Sequence, residues 1–299
     1  MKKRVFIAVA LTLVFALSGC GGSSDPGADA SNAASTSEDT TASMTSKISE
    51  QVLVEQDGIR IIAKECELSL GESDPEIPIL VENNSDKNIS VKCDNFSCNG
   101  IMTEPSLYCE VPAGKKMNET ISLSAQSLSS CGIETIGILE FRLVLMDDTY
   151  QDLFTTEPIV IETSNAQTYK ATMIAPPEGT VLLDESGFKI TYLGKVDYSD
   201  YGSDIVFYLK NSSSEGALFS HSELSVNGFV LDTMDYPYSG MFSFVTPGKV
   251  AYSGFSLTDS DMEANGITNI EDIEVTLVVE DNDTFDDLAT TGPISIPLK

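Results

Sequence analysis

The stretch Ile273-Glu274-Val275-Thr276-Leu277-Val278-Val279-Glu280 sets apolar Ile273, Val275, Leu277 and Val279 in alternation with Glu274, Thr276, Val278 and Glu280. A period of two sends one set of side chains to a core and the other toward water, which is the signature of a half-buried strand. Earlier in the chain Leu139, Phe141, Leu143 and Leu145 alternate with Glu140, Arg142 and Val144 in the same way. Working outward from these two strands, block after block matches in order. Residues 77–100 align with 205–228, so that Asn83 and Ser85 fall on Asn211 and Ser213, and Asn99-Gly100 on Asn227-Gly228. Val111-Pro112-Ala113-Gly114-Lys115 falls on Val245-Thr246-Pro247-Gly248-Lys249 with a one-residue slip, and Gly132-Ile133 on Gly266-Ile267. Asp148-Thr149-Tyr150 falls on Asp283-Thr284-Phe285, and Pro158-Ile159 on Pro293-Ile294. One module is used twice.

Each copy reads as strands separated by turns. The Asn-Gly pairs sit between apolar runs and suit the positive φ angles of a type I′ hairpin turn. Further strands are expected near residues 187–193, 205–210, 217–226, 229–233, 241–245, 250–257 and 293–298, with one short helix-like stretch near 259–265. About eight short strands per copy with regularly spaced turns predict an all-β chain of two β-sandwich domains. The domains are expected at residues 48–163 and 179–299, with a linker at 164–178 that holds Pro176-Pro177.

The N-terminus has the layout of an export signal: Lys2, Lys3 and Arg4, an apolar run over residues 5–17, then small residues. The run is shorter than the roughly 20 residues of a membrane span. Leu17-Ser18-Gly19-Cys20 resembles the lipobox of bacterial lipoproteins, which implies a signal peptide over residues 1–19 and an acylated Cys20 as the first mature residue. Residues 20–47 are rich in Gly, Ser, Thr, Ala and Asp with few large apolar side chains, so they are expected to be a lipidated flexible linker. The expected location is therefore the extracellular side of the cell membrane, with the membrane as a partner through the lipid. The 46 acidic and 17 basic side chains give a formal charge of −29, which repels nucleic acid.

Glu82-Asn83-Asn84-Ser85-Asp86-Lys87, Cys98-Asn99-Gly100, Val111-Pro112-Ala113-Gly114-Lys115-Lys116, Gly132-Ile133 and Asp148-Thr149 carry a wider resemblance. Over both modules the chain resembles a group of secreted Gram-positive lipoproteins with immunoglobulin-like repeats. The resemblance implies an immunoglobulin-like fold and a surface location, and no particular ligand or reaction. The five cysteines of the first copy depart from its pattern.

Those cysteines are Cys66, Cys93, Cys98, Cys109 and Cys131. Outside the cell they suggest disulfides with one thiol left over. The repeat sets Cys98 on Val226 and Cys109 on Phe244, both expected to face the core, which makes Cys98–Cys109 the candidate bridge. Cys93 lies five residues before Cys98, so a regular strand would turn it to the opposite face; it aligns with His221, the only histidine, expected at the surface. Ligand spacing for zinc is missing. No nucleophile elbow, H-E-x-x-H, phosphate loop or dinucleotide fingerprint occurs, and the chain is read as non-catalytic with no cofactor. Asp261, Glu263, Asn265, Gly266 and Asp272 approach EF-hand spacing, but a strand is expected where an EF-hand needs a helix.

Two binding surfaces are candidates. Tyr198 and Tyr201 lie among Ser, Gly and Asp, and Tyr236 and Tyr238 flank Pro237, a chemistry suited to adaptable protein recognition. As an alternative, Asp197, Asp200 and Asp204 are expected at the same end of the sandwich as Asp281 and Asp283, where they would bind Ca²⁺ in the millimolar class. Glu72, Asp74, Asp147 and Asp148 stand in the matching loops of the first copy. The leading expectation is a lipid-anchored surface protein that binds an extracellular or envelope partner. A purely structural envelope spacer and an enzyme of unrecognised type are the alternatives.

Overall fold

The computed structural model describes residues 45–71, 73–171, 176–199, 201–231 and 243–298. Cys20, Glu72, Asp200, Tyr236 and Tyr238 lie outside the described residues. The first module contains β1 (Ser46–Ile48), β2 (Gln51–Gln56), β3 (Ile59–Ala63), β4 (Cys66–Leu68), β5 (Glu76–Asn83), β6 (Ile89–Cys98), β7 (Ile101–Met102), β8 (Pro105–Ser106), β9 (Tyr108–Val111), β10 (Lys115–Leu123), α1 (Ala125–Ser130), β11 (Ile138–Met146), β12 (Asp152–Thr155) and β13 (Ile159–Glu162). After α2 (Ala166–Ala171), the second contains β14 (Thr180–Glu185), β15 (Phe188–Tyr198), β16 (Gly202–Asn211), β17 (Ala217–Val226), β18 (Phe229–Val230), β19 (Ser243–Val245), β20 (Val250–Thr258), α3 (Asp259–Ala264), β21 (Ile273–Asp281) and β22 (Asp287–Ser295).

In module 1 the order β2-β3-β5-β10 forms one sheet, with β8 on its edge, and β9-β6-β11 with β12 and β13 forms the other. Module 2 repeats this as β14-β15-β16-β20 against β17-β21-β22, with β18 and β19 beside β17. The chain changes sheet after β5, returns briefly through β8, and changes again after β9 and β10, leaving β5 beside β10 and β6 beside β11, the Greek-key arrangement of an immunoglobulin-like sandwich. Each pair of sheets closes on its own core: Ile61, Ile79, Val91, Phe96, Phe141 and Leu143 in module 1, and Ile190, Ile205, Phe207, Phe219, Leu277 and Val279 in module 2.

Buried asparagines repeat with the strands. Asn83 Nδ2 donates to the carbonyls of Lys87 (2.8 Å) and Val111 (2.9 Å), and Oδ1 accepts from Ser85 N and Oγ. Asn211 Nδ2 donates to Glu215 and Val245, both at 2.8 Å, while Oδ1 accepts from Ser213. At the other end of the module, Asn99 donates to the Thr135 carbonyl and accepts from Gly137 and Ile138 amides; Asn227 does the same with Asn269, Glu271 and Asp272. Asn99 and Asn227 hold φ of 55° and 51°, followed by Gly100 and Gly228 at 79° and 80°, so both Asn-Gly pairs form the expected positive-φ turns. The residue that opens each hairpin also ties down the crossover that follows the short helix.

Several sequence expectations are corrected. A short helix exists in both copies, capped by Ser124 and Thr258, although only the second was expected. The first strand starts at Ser46, ahead of residue 48, because β1 pairs with β4. The segment expected to be a linker is in part docked structure. Ser164 N donates to the Lys47 carbonyl, Asn165 Nδ2 donates to Thr45 O and Ser46 Oγ, and the Tyr169 hydroxyl donates to the Asn99 carbonyl.

The modules meet end to end. The β6–β7 hairpin reaches the start of β20, where Ile101 pairs in parallel with Val250 and Val250 N donates to the Gly100 carbonyl at 3.0 Å. Lys249 Nζ lies 2.7 Å from Glu140 Oε2. Met102 packs on the core of module 2, and Val250 and Tyr252 pack on that of module 1.

Candidate functional site

The cysteines face inward but do not pair. Cys98 and Cys109 are buried, and all five cysteines of module 1 are free thiols. Cys109 pairs with Val91 across β9 and β6, while Cys98 lies at the far end of β6, opposite Leu139. At about 3.3 Å per strand residue they stand roughly 20 Å apart. A bridge needs Cα atoms within about 7 Å, so the expected Cys98–Cys109 disulfide does not form. The strand register also sets Cys109 on Ser243, since Ile89 pairs with Val111 as Ala217 pairs with Val245. Burial pushes the Cys98 thiol up to about 12 and the Cys109 thiol up to about 11. Neither is a nucleophile at neutral pH.

Cys93 and His221 also depart from expectation. A register shift interrupts β6 between Cys93 and Cys98, and Asn95 there has φ 51°; β17 shows the same irregularity, with Glu223 at 54°. The extra residue reverses the parity of the strand. Cys93 therefore packs on the same core as Cys98, and His221 sits with its ring 5.0 Å from Phe255 of the opposite sheet. Burial lowers the His221 pKa to about 4, so the imidazole is neutral at pH 7.

Of the candidate tyrosines, Tyr198 and Tyr201 are fastened to their own scaffold. Tyr198 and Tyr201 stack with centroids 4.6 Å apart in the β15–β16 hairpin. Tyr201 OH donates to Asp204 Oδ2 at 2.9 Å, and Ser256 Oγ to Asp204 Oδ1 at 2.6 Å. Burial, followed by the Asp204 carboxylate, raises the Tyr201 pKa, so the phenol stays protonated.

The calcium arrangement fails on topology. Gly202 pairs with Thr258 at one end of module 2, whereas Asp281 pairs with Ala217 at the other. Asp197 and Asp204 therefore stand at the opposite end from Asp281 and Asp283. β18 and β19 both run antiparallel to β17, β18 against its last residues and β19 against its first, so they advance in one direction and count as one crossing where two were expected, which sends the two loops to opposite ends. Asp281 instead holds its own turn, accepting from the amides of Asp283 and Thr284, as Asp147 does for Thr149 and Gln151. Among the described residues no group of three His, Cys, Asp or Glu side chains has metal-holding geometry. Asp261 and Glu263 lie in or beside α3, with strand β21 following, as the rejection of an EF-hand required.

Among the described residues, two concavities stand out. One, of about 430 Å³, lies on the outer face of β17, β21 and β22, where Ser220, Ser222, Thr276 and Thr290 surround Glu223, Glu280 and Asp287. The other, of about 540 Å³, is a seam in module 1 between edge strand β2 and the β12–β13 edge. Val52, Leu53, Val54, Phe154, Ile159 and Val160 line it, with Glu55 and Glu157 among them. Val52 and Val160 are 47% and 48% exposed, and Gln51 Nε2 is buried there without a hydrogen-bond partner. In module 2 the corresponding strands β14 and β22 pack together. The seam carried no sequence signal, because Val52 and Val160 read as ordinary strand residues.

The sequence matches no protein-family model and no curated protein. Among solved structures, the chain is similar to the CsuC–CsuE chaperone-tip adhesion subunit pre-assembly complex from archaic chaperone-usher Csu pili of Acinetobacter baumannii. That likeness is 13% identity and TM-score 0.21, over 75% of this chain and 92% of that one. Red sea bream transglutaminase gives 10% identity and TM-score 0.20, over 84% of this chain and 31% of that one. A protein of unknown function from Porphyromonas gingivalis W83 gives 10% and 0.21, over 76% and 92%. Likenesses this distant carry no argument about function.

Proposed function

We propose that this chain is a non-catalytic binding protein, held at the outer side of the cell membrane by a lipid on Cys20, whose first module takes an extended polypeptide segment. One observation carries the binding reading: the seam between β2 and the β12–β13 edge of module 1 encloses about 540 Å³ and is flanked by exposed Val52 and Val160. Both edges offer unpaired backbone groups beside exposed valines, which is the chemistry of strand addition to a sheet edge. Glu55 and Glu157 on the rim favour a segment that alternates apolar and cationic side chains. The lipobox resemblance of Leu17-Ser18-Gly19-Cys20 supports the anchor.

The test uses a synthetic peptide of alternating Val and Lys, followed by hydrogen exchange. Saturable binding with new amide protection over β2 or β13, weakened about tenfold by V52K with V160K, is expected from the loss of a small apolar contact and added repulsion. Binding that survives both changes, or protection gained elsewhere, refutes the seam. The anchor is tested separately, by loss of radiolabelled fatty acid and of detergent-phase partitioning in C20A. The spacer alternative draws on the end-to-end junction built by Lys249, Glu140 and Met102. Under it, C20A changes the phenotype of cells and seam variants do not.

A further inference from the structure

The junction between the modules uses parts that the repeat supplies twice. On the hairpin side, module 1 contributes the accepting Gly100 carbonyl, Ile101, Met102 and Glu140. On the edge side, module 2 contributes the donating amide of Val250 and ammonium of Lys249 at the start of β20. Strand register identifies each counterpart. Glu140 pairs with Ser97 as Glu274 pairs with Ser225, so Glu274 holds the place of Glu140 in module 2. Lys116 pairs with Glu82 as Val250 pairs with Lys210, so Lys115 and Lys116 hold the places of Lys249 and Val250 in module 1.

Both unused halves are exposed. The β17–β18 hairpin, counterpart of the docked β6–β7 hairpin, shows Phe229 at 48% and Val230 at 77% exposure, although their equivalents Ile101 and Met102 are covered. Glu274 is exposed, as are Lys115 and Lys116. Beyond β5, the edge of β10 is met by β8 only at Ser122 and Leu123, which leaves the Lys115 end open.

We infer that copies of this chain associate head to tail, the β17–β18 hairpin of one docking on the β10 edge of module 1 in the next. The contact repeats the internal junction: the Gly228 carbonyl accepts from the Lys116 amide, Glu274 pairs with Lys115, and Phe229 and Val230 cover the methylene stem of Lys116. It joins two different surfaces, so it propagates into open chains of copies rather than closing as a two-fold dimer. Lys116 and Asn118 replace Val250 and Tyr252, and no linker holds the partners together. The intermolecular contact is therefore weaker than the internal one. It is distinct from the seam and stands or falls apart from it.

Residues 21–299, which hold both modules entire, are examined by sedimentation equilibrium. The expected result is a weight-average mass that rises with concentration between roughly 10 µM and 1 mM, the range of a contact deprived of its tether. V230D and E274K should each raise the midpoint about tenfold, the effect of about 1.4 kcal/mol. The charge swap E274K with K115E should return it toward the original value. A monomer throughout, association indifferent to V230D, or a swap that fails to restore it overturns the inference. Should V230D disturb folding, the E274K and K115E pair decides by itself.

Discussion

Replacing Asn83 by alanine tests whether the buried asparagine, and not the apolar pattern alone, holds each sandwich together. Asn83 is fully buried and makes four hydrogen bonds, to the Lys87 and Val111 carbonyls and from the amide and hydroxyl of Ser85. At about 1 kcal/mol net for each bond, with a further penalty for the Val111 carbonyl left buried, N83A should cost about 3–5 kcal/mol. That is a large part of the 5–15 kcal/mol that stabilises an ordinary domain. Asn211 has the corresponding partners Glu215, Val245 and Ser213 at nearly the same distances, so N211A should destabilise module 2 by an amount within about 1 kcal/mol of the first. Asn83→Asp should do more damage than alanine, because it turns a carboxylate oxygen toward two carbonyls in a buried place. Native-state hydrogen exchange resolves the opening free energy of each module separately. A loss under about 1 kcal/mol in either variant, or protection lost mainly in the other module, would refute the reasoning.

Thiol labelling of the folded chain at pH 8 should leave Cys98 and Cys109 unmodified until unfolding, since burial pushes their pKa values up to about 12 and 11, while the partly exposed Cys66 should react first. A Cys98–Cys109 disulfide by peptide mapping would contradict the strand register. His221 should show no NMR titration above pH 5, because burial holds its pKa near 4. A histidine whose folded pKa lies below its unfolded value leaves the unfolded chain binding more protons. Stability is therefore full above about pH 6.5 and falls as pH drops toward 4, by up to about 3 kcal/mol. H221Q should flatten that part of the pH dependence. Lys249→Glu places a carboxylate against Glu140, and the radius of gyration by X-ray scattering should increase while each module keeps its own stability within about 0.5 kcal/mol.

Much of the frame was legible because it rests on short-range rules. Alternation marked β11 and β21 as strands, and the two Asn-Gly pairs marked hairpins. The repeat showed that one module occurs twice. Misreadings arose where a local shift changed long-range parity. One extra residue near Asn95 and Glu223 carried Cys93 and His221 toward the core, and β18 and β19, which run in one direction beside β17 instead of crossing twice, reversed the end from which the Asp281 loop leaves. The open seam was hidden for a related reason: it is a relation between strands that lie far apart in the chain.

The amino-acid sequence by itself determined the all-β class, the duplication and the identity of the turn residues, because backbone preference and side-chain periodicity act over a few residues. Tertiary structure alone decided which cysteines share a face and which carboxylates share an end. It also decided that one hairpin is covered by the next module while its twin stands exposed. Those outcomes depend on strand pairing across the sheets, where a single inserted residue or strand inverts every later direction.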